Sequence, residues 1–415
     1  MEIACPRGMV SNFRGLEATL RILTFTTLWP NSRQPVHGLF VRERVLAMVK
    51  GGAVISVIAP VPWVPFGIGK IFYRYEKYDG VEETQTDGPF TVYHPRFITF
   101  PKMLKFLDGW MMAVSVSMFL IRKKINWDFD VIDAHWLYPD GTAALLLGRV
   151  YRTPVTVTVR GDDIRTFSRF LLRRLQLRYT LRNVLWVWAV CEDLKKWVCR
   201  IVPGLPSVEV SLNGVDTKKF HPINRSECRE LLGLPLGHTI LITVGRIEPA
   251  KGQMILMEAL GILAAKEVEY QLVLVGPVDD EDYVKQMRES AAKTGLGGRI
   301  VWAGPQGHES LINWLCAADI FLLASENEGC PNSLLEAMAC QVPAVVTPVG
   351  GVPELINEGD GCIFVKRTAE AFARGIEEMT GRNRKLHERR ETIHNDIRSW
   401  DKVAEQILGR LDALV

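Results

Sequence analysis

The chain has 415 residues, of which 47% are hydrophobic and 23% are charged. This is the composition of a globular protein that is too long for one compact core, so two domains are expected. The longest apolar stretch, residues 110–121, is shorter than the roughly 20 residues that a membrane-spanning helix needs, which argues against a span of the usual kind.

The charge is divided unevenly along the chain. Residues 1–213 hold 28 of the 50 basic and 18 of the 47 acidic side chains, a net charge of +10, which leaves −7 for the remainder. No zinc-finger, RNP or KH-type pattern accompanies the basic half, so we expect no nucleic acid partner and favour an anionic membrane surface or an anionic substrate. Residues 1–19 lack the apolar core of a signal peptide, so they are interpreted either as a disordered extension or as the product of an upstream start codon, and the protein is expected to be cytoplasmic.

Short β-branched runs alternate with amphipathic stretches along the whole chain, a pattern that predicts parallel sheets in an α/β doubly wound fold. The predicted domains are an N-terminal Rossmann-like domain over 20–213, a C-terminal one over 214–397 and a final helix, 398–415, that packs back on the first domain. Ligands of such sheets bind at the carboxyl ends of the strands, which places the site in the cleft between the domains. The predicted strands are 22–26, 54–59, 131–134, 155–159 and 185–189, then 240–244, 271–275, 300–303, 320–323, 344–347 and 362–365.

Three features of the first half are candidates for function. His135 ends a predicted strand at the edge where the cleft lies, and it is equally compatible with a structural role. Gly38 opens a predicted helix whose first amides could contact an anion. Arginines recur at helical spacing among apolar residues, which indicates either a solvated face or a surface that rests on anionic lipid; they are Arg165, Arg169, Arg173, Arg174, Arg178 and Arg182.

In the second half, residues 325–340 follow a buried strand and run through Pro331 into a helix. This arrangement places Glu328 in a loop and Glu336 on the second turn of the helix. Carboxylates accept hydrogen bonds from sugar hydroxyls and free amides at a helix start bind phosphate, so the segment suits a ligand that carries both groups. The alternative is that both glutamates are solvated charges near a helix end.

The spacing of these glutamates resembles the E-x7-E motif of the retaining glycosyltransferases of the family-4 type. Residues 244–252 (VGRIEPAKG), 211–216 (SLNGVD) and 350–354 (GGVPE) resemble further motifs of that family in the right order. Residues 28–30, 38–41 and 133–136 resemble the subset that builds bacterial surface polysaccharides, including the teichuronic-acid enzymes. The resemblance implies a GT-B fold, in which two Rossmann-like domains face each other across a cleft.

The resemblance also implies roles for individual residues. Arg246 and Lys251 would stabilise the charge that develops on the β-phosphate of a nucleotide-sugar donor, in place of a metal. Glu336 would hold the ribose or diphosphate end, Glu328 the hydroxyls of the transferred sugar, and His135 would act against the donor sugar. The further candidate donor contacts are Gly38, Gly245, Gly304, Gln306, Gly329, Asn332, Ser333 and Leu334.

Two DxD triplets have the spacing of residues that bind a metal ion, and they must be weighed against the expectation that no metal is required. Asp128 and Asp130 lie at the amino end of a predicted strand, which is the wrong end for a site, and 280–282 opens a helix where acids act as caps. Neither triplet is therefore predicted to bind Mg²⁺ or Mn²⁺.

The sequence thus predicts a retaining glycosyltransferase that transfers a sugar from a nucleotide-diphosphate sugar to a lipid-linked or oligosaccharide acceptor, on the cytoplasmic face of the membrane. The alternatives are a nucleotide-sugar epimerase of the same fold and a non-catalytic GT-B scaffold. The sugar, the base, the acceptor and the oligomeric state are not predicted.

Overall fold

The computed structural model describes residues 19–64, 75, 78–100, 104–264, 269–358, 361–386 and 397–415. The predicted extension, 1–19, lies outside the described residues except for Thr19. Within the described ranges the chain forms two Rossmann-like α/β domains, each built on its own sheet, and the predicted fold class is confirmed. Every predicted strand is present with bounds that differ by no more than one residue.

The first sheet has eight strands in the order β10-β9-β8-β7-β1-β2-β5-β4, and all neighbours are parallel except β4 and β5. A separate parallel pair joins β3 to β6. The strands are β1 (Arg21–Phe25), β2 (Val54–Ile58), β3 (Val61–Trp63), β4 (Thr84–Asp87), β5 (Phe90–Tyr93), β6 (Arg96–Ile98), β7 (Val131–His135), β8 (Val155–Val159), β9 (Trp186–Ala189) and β10 (Val208–Val210).

Helices connect β1 to β2 and link the successive strands from β6 to β10, as crossovers between parallel strands usually do. The first begins after Gly38, whose backbone has φ +71° and packs so closely on Leu28 that a Cβ would lie 2.4 Å from the Leu28 carbonyl carbon. Only glycine fits there. The helices are α1 (Leu39–Lys50), α2 (Asp108–Lys123), α3 (Thr142–Tyr151), α4 (Asp162–Arg165), α5 (Leu171–Asn183) and α6 (Glu192–Ile201).

The second sheet has six strands, all parallel, in the order β13-β12-β11-β14-β15-β16. The strands are β11 (Thr239–Val244), β12 (Tyr270–Val275), β13 (Ile300–Gly304), β14 (Ile320–Leu323), β15 (Ala344–Val346) and β16 (Cys362–Phe364). The helices of this domain are α7 (Arg225–Leu232), α8 (Gln253–Leu263), α9 (Glu281–Lys293), α10 (His308–Ala317), α11 (Asn332–Ala339), α12 (Val352–Leu355) and α13 (Ala369–Leu386).

The last helix, α14 (Trp400–Leu414), packs on α1 of the first domain, where Ile407 and Leu411 share a buried cluster with Val45. The chain therefore passes between the domains twice, and the two passages lie side by side. The Val215 amide donates to the Arg398 carbonyl at 3.0 Å, and a Cβ on Gly214 would lie 2.6 Å from the Trp400 nitrogen.

Candidate active site

The centre of the candidate site is formed where two strands of the second sheet end. After β11 the chain makes a short turn, Pro249–Lys251, and Gly252 follows with φ +72°. A Cβ on Gly252 would lie 2.3 Å from the carbonyl oxygen of Ala324, just after β14, so this glycine allows the two strand ends to touch. The Glu326 amide donates to the Ala250 carbonyl at 2.8 Å, and the turn is thereby fixed to the loop that carries Glu328.

This close approach brings two of the predicted residues into contact. Lys251 Nζ donates to Glu328 Oε1 at 2.6 Å, and the Glu328 side chain is only 10% exposed. The two residues are 77 positions apart in the chain. A partly buried ion pair of this kind leaves an ammonium with two further N–H donors beside a carboxylate with further acceptor sites.

Glu336 lies on α11, which follows the same loop. Its carboxylate is buried and lies 3.4 Å from His308 Nε2, at the start of α10, while the His308 ring packs edge-on against Phe220. The helix begins at Asn332, directly after Pro331, so the amides of residues 332–334 lie at its N-terminus. Sequence reasoning missed His308, since a histidine that opens a different helix gives no local signal.

Arg246 pairs with different carboxylates from the one that Lys251 contacts. Its guanidinium is 52% exposed and pairs with Glu248 at 3.1 Å and with Asp279 at 3.3 Å. Burial raises the pKa of Glu248, and the Arg246 charge offsets this only in part. The structure therefore gives Arg246 two carboxylate partners, neither of which was singled out in the sequence.

Glycines bring three strand ends of this domain together. A Cβ on Gly276 would lie 1.9 Å from the Gly245 carbonyl oxygen, and the Gly276 amide donates to the Gly304 carbonyl at 2.8 Å. Gly276 is not among the predicted donor contacts, yet it is the residue that lets Gly245 take its position. Gln306 folds back, with Nε2 donating to the Ala303 carbonyl at 2.7 Å and Oε1 accepting from Ser310.

In the first domain, His135 ends β7 as predicted, but its ring is fully buried. Nδ1 accepts from Arg160 at 2.9 Å, so the ring proton is assigned to Nε2, which lies 3.3 Å from Asp133 Oδ2. Burial lowers the pKa of His135 to about 4, and the Asp133 carboxylate offsets this only in part. The ring is therefore neutral at pH 7, and its predicted contact with a donor sugar stays a prediction.

Asp133 is the centre of this buried network. It accepts from the Arg44 guanidinium at 3.1 Å and from the Thr156 hydroxyl at 3.0 Å. Burial works against its ionisation, but Arg44 and His135 hold the pKa of Asp133 below its ordinary range. Arg44 and Thr156 were not predicted, because neither shares a motif with the strand that they contact.

Asn213 links this network to the second domain. Its Nδ2 donates to Asn332 Oδ1 at 2.9 Å and to the Cys330 carbonyl at 3.3 Å, while its Oδ1 accepts from Arg160 at 3.4 Å. The side chain of the predicted residue Asn332 is thus hydrogen-bonded to a residue of the first domain, Asn213. Ser333 and Leu334 follow it in the first turn of α11, and Gly329 packs so closely on the Arg160 carbonyl that a Cβ would lie 2.4 Å away.

Two family models match consecutive parts of the chain. The first half matches the model described as Glycosyltransferase Family 4 over residues 73–219, and the second matches Glycosyl transferases group 1 over residues 224–398. The chain belongs to the family-4-type glycosyltransferases.

A similar curated glycosyltransferase is TuaC of Bacillus subtilis (strain 168), named for teichuronic acid biosynthesis. It is 27% identical over 360 residues, which cover 86% of this chain and 88% of that protein. Solved structures share the fold. Sucrose-phosphate synthase from Thermosynechococcus elongatus has a TM-score of 0.74 at 18% identity, covering 96% of this chain and 99% of that one. Anabaena HepE in complex with UDP and glucose has a TM-score of 0.70 at 18% identity, covering 95% and 100%.

The two DxD triplets of this glycosyltransferase have structural partners. Asp280 caps α9 by accepting from the Tyr283 amide at 2.9 Å, and Asp130 accepts from the Arg21 amide at 2.9 Å. Within the described ranges, no group of three or more His, Cys, Asp or Glu side chains is placed to hold a metal ion.

The arginine series of the glycosyltransferase is not one continuous helix face, contrary to the prediction. Arg165 ends α4 and is buried, whereas α5 begins only at Leu171. None of the helices in the described part of the chain combines the length and the hydropathy of a membrane span.

Proposed function

We propose that this glycosyltransferase is a retaining enzyme, which transfers a sugar from a nucleotide-diphosphate sugar to a lipid-linked or oligosaccharide acceptor in bacterial surface polysaccharide synthesis. The observation that supports this most is the Lys251–Glu328 pair at the strand ends, with Glu336 on the helix that follows. Cations, carboxylates and helix amides within one segment suit phosphates and hydroxyls together. The likeness to TuaC over most of both chains supports the acceptor class.

In the proposed reaction, the anomeric C–O bond to the β-phosphate breaks and its electron pair stays on the diphosphate. The acceptor hydroxyl bonds to the anomeric carbon on the same face, and its proton passes to a phosphate oxygen. Lys251 and Arg246 stabilise the charge on the departing diphosphate, which grows in the transition state. Glu328 holds the sugar hydroxyls and Glu336 the ribose or diphosphate end, and the reaction needs no metal.

A donor screen tests this proposal. The melting temperature is measured with UDP-, GDP-, ADP- and dTDP-sugars, because a ligand at 100 times its Kd stabilises the fold by roughly 2.7 kcal/mol. The donor that binds is then supplied with an acceptor, with and without EDTA, and the anomeric configuration of the product is read by NMR. Inversion would refute the mechanism, and loss of activity in EDTA that Mn²⁺ restores would refute metal independence.

The same experiment separates the alternatives. An epimerase would convert the donor without an acceptor, so product analysis with donor alone identifies it. A non-catalytic scaffold would bind donors weakly and give no product with any of them. HepE was solved with UDP and glucose, which makes UDP-glucose the first donor to try.

We also propose that the first domain rests on the anionic cytoplasmic face of the membrane. Large apolar side chains are exposed along one stripe of α2 and at the start of α5, and the Gln176 side chain of α5 donates to the Phe106 carbonyl just before α2. Exposed apolar area beside arginines suits a lipid surface. The exposed apolar residues are Trp110, Val114, Met118 and Ile121 on α2 and Phe170, Leu171, Leu172 and Leu175 at α5.

Vesicle co-sedimentation tests the membrane proposal. We expect binding to anionic but not to neutral vesicles, weakened at high salt because the Debye length falls from about 10 Å at 0.1 M to about 3 Å at 1 M. Changing Arg169, Arg173 and Arg178 together to glutamine should weaken it too, since each basic residue near the surface contributes about 1 kcal/mol. Glutamine at the exposed positions Lys285, Arg288 and Lys293 of α9 is the matched control. Equal binding to neutral vesicles, or none to anionic ones, would contradict the proposal.

A further inference from the structure

The GGVPE segment, 350–354, lies against the loop that carries Glu328. Gly350 has φ +56°, and a Cβ there would lie 1.8 Å from the Glu328 carbonyl oxygen. The Gly351 amide donates to the Gly329 carbonyl at 3.1 Å, and a Cβ on Gly351 would lie 2.1 Å from that oxygen. The two glycines therefore allow backbone to pack directly on backbone at positions 328 and 329.

Glu354, in the same segment, reaches across to the first domain. Both of its carboxylate oxygens lie 2.8 Å from the Glu192 amide, which donates to them at the start of α6. The residue before that helix is Cys191, which is not one of the types that cap helices well. A carboxylate from the second domain thus takes the place of a local cap and meets the positive end of the helix.

Arg165 makes the reciprocal contact from the first domain. Its guanidinium is buried and donates to the Glu328 carbonyl through Nη1 at 3.3 Å and Nη2 at 3.4 Å. The same Nη2 pairs with Asp193, the neighbour of Glu192. The contact from Arg165 and the contact from Glu354 therefore meet at the start of α6, and both are connected to the backbone of residues 328 and 329.

We propose that Arg165 and Glu354 are positioning residues that orient Glu328 only when the two domains are together. This rests on the proposed function, in which Glu328 holds the transferred sugar. Arg165 fixes the carbonyl of Glu328, while Glu354 ties the glycine turn behind that loop to the first domain. The donor-sugar contact is in the second domain, but its geometry is set from the first.

A double-mutant cycle between Arg165 and Glu328 tests the proposal, with transfer measured as kcat/KM. Arg165→Ala should lower kcat/KM about tenfold in the wild-type protein and have little effect when Glu328 is already glutamine, because residues that act through one another are not additive. Arg165→Lys keeps the charge but loses the forked donor pair, so it should be intermediate. Arg410→Ala removes a pair with Glu209 that lies outside this contact and is the matched control.

A binding measurement distinguishes a role of Arg165 in positioning Glu328 from a role in stabilising the fold. Titrations measure the affinity of wild type and of Arg165→Ala for UDP-glucose and for UDP alone. If the screen selects another base, the glucose donor with that base and the corresponding nucleoside diphosphate are used instead. We expect affinity for the sugar nucleotide to fall several-fold and affinity for the nucleotide alone to be unchanged. Equal losses for both ligands would overturn the proposal, as would additive effects in the cycle.

Variants of Glu354 provide a second test of the proposal in case the Arg165 variants do not fold. Glu354→Gln keeps an oxygen that accepts from the Glu192 amide and should retain most of the activity, whereas Glu354→Ala should lose it about as Arg165→Ala does. Equal activity of both variants would contradict the proposal. If Glu328→Gln alone leaves transfer unchanged, the proposed function fails; if it lowers transfer while Arg165→Ala and Glu354→Ala do not, only this inference fails.

Discussion

The two domains hold the charged residues of the candidate site in different ways. In the second domain, Lys251 is 24% exposed and pairs with the Glu328 side chain, which is 10% exposed, while Arg246 is 52% exposed and pairs with Glu248 and Asp279. In the first domain, Asp133 and His135 are fully buried and Arg44 nearly so, with one ion pair between Arg44 and Asp133 at 3.1 Å.

This difference in burial distinguishes charged residues that can exchange a protein partner for a ligand from charged residues that cannot. A partly exposed ion pair costs less to open than a fully buried one, so its members are more available to a charged ligand. A buried pair is expensive to break, because the charge that remains has no solvent. Substitutions at Lys251 and Arg246 should therefore change turnover at constant stability, and substitutions at Asp133 and Arg44 should change stability.

The largest effect is expected at Glu336. Glu336→Gln keeps the shape of a side chain near the start of α11 but removes its charge, and it should lower kcat/KM about 1000-fold with an unchanged melting temperature. Glu326→Gln, at an exposed position just before the motif, is the control and should be nearly neutral. Equal activities of the two variants would remove Glu336 from the site.

The next effect concerns the buried pair. Asp133→Asn leaves the Arg44 guanidinium without its counter-charge and should lower the free energy of unfolding by about 3 kcal/mol. The matched variant is Asp128→Asn, which disrupts a pair between Arg21 and a carboxylate that is 69% exposed and should cost less than about 1 kcal/mol. Urea denaturation of both proteins gives the comparison, and similar losses would show that burial does not distinguish the two pairs.

The effect of removing one basic side chain from the second domain should be somewhat smaller. Lys251→Ala and Arg246→Ala should each lower kcat about 100-fold with little change in KM, because the charge they meet grows in the transition state. Lys285→Ala on α9 serves as the control. Steady-state kinetics decide the point, and a rise in KM at constant kcat would assign both cations to ground-state binding instead.

The smallest effect, when it is counted per pH unit, is a pH dependence in the first domain. Asp140 is buried and accepts from the Thr27 amide at 2.6 Å, and burial raises its pKa to about 8, against about 4 for an unfolded aspartate. Between these values the folded state holds a proton that the unfolded state has lost, so stability contributed by this group falls as pH rises.

Asp140→Asn removes this titration. Relative to the variant, the wild-type protein should lose stability between pH 5 and pH 8, by no more than about 1.4 kcal/mol per pH unit. Urea unfolding at pH 5, 6.5 and 8 measures the two slopes. Parallel slopes would mean that Asp140 is ionised in the folded protein.

The sequence predicted eleven of the strands, because these buried parallel strands are short, apolar and β-branched and each such run is visible locally; it did not predict β3, β4, β5, β6 and β10. The resemblance to the family-4-type glycosyltransferases placed Lys251 and Glu328 in one site, and in the structure both follow strands whose carboxyl ends meet at the same sheet edge. The spacing of the motifs supported that prediction more strongly than the periodicity of the apolar residues did.

Contacts between distant segments were not predictable. Arg165 was assigned to a basic helix face because of its spacing, yet it contacts a carbonyl 163 residues away in the other domain. His135 was placed correctly at a strand end, but its ring contacts Arg160, and its neighbour Asp133 contacts Arg44, and these two arginines come from other segments of the chain. Gly276 was not among the predicted contacts, although its backbone contact with Gly245 requires a residue without a Cβ.

The side-by-side passages at 214–215 and 398–400 have a mechanical consequence. One connecting segment would leave the domains free to swivel, slide and twist, whereas two segments bonded to each other define an axis and permit one rotation about it. The return of α14 to the first domain thus restricts how the two halves of the enzyme can separate.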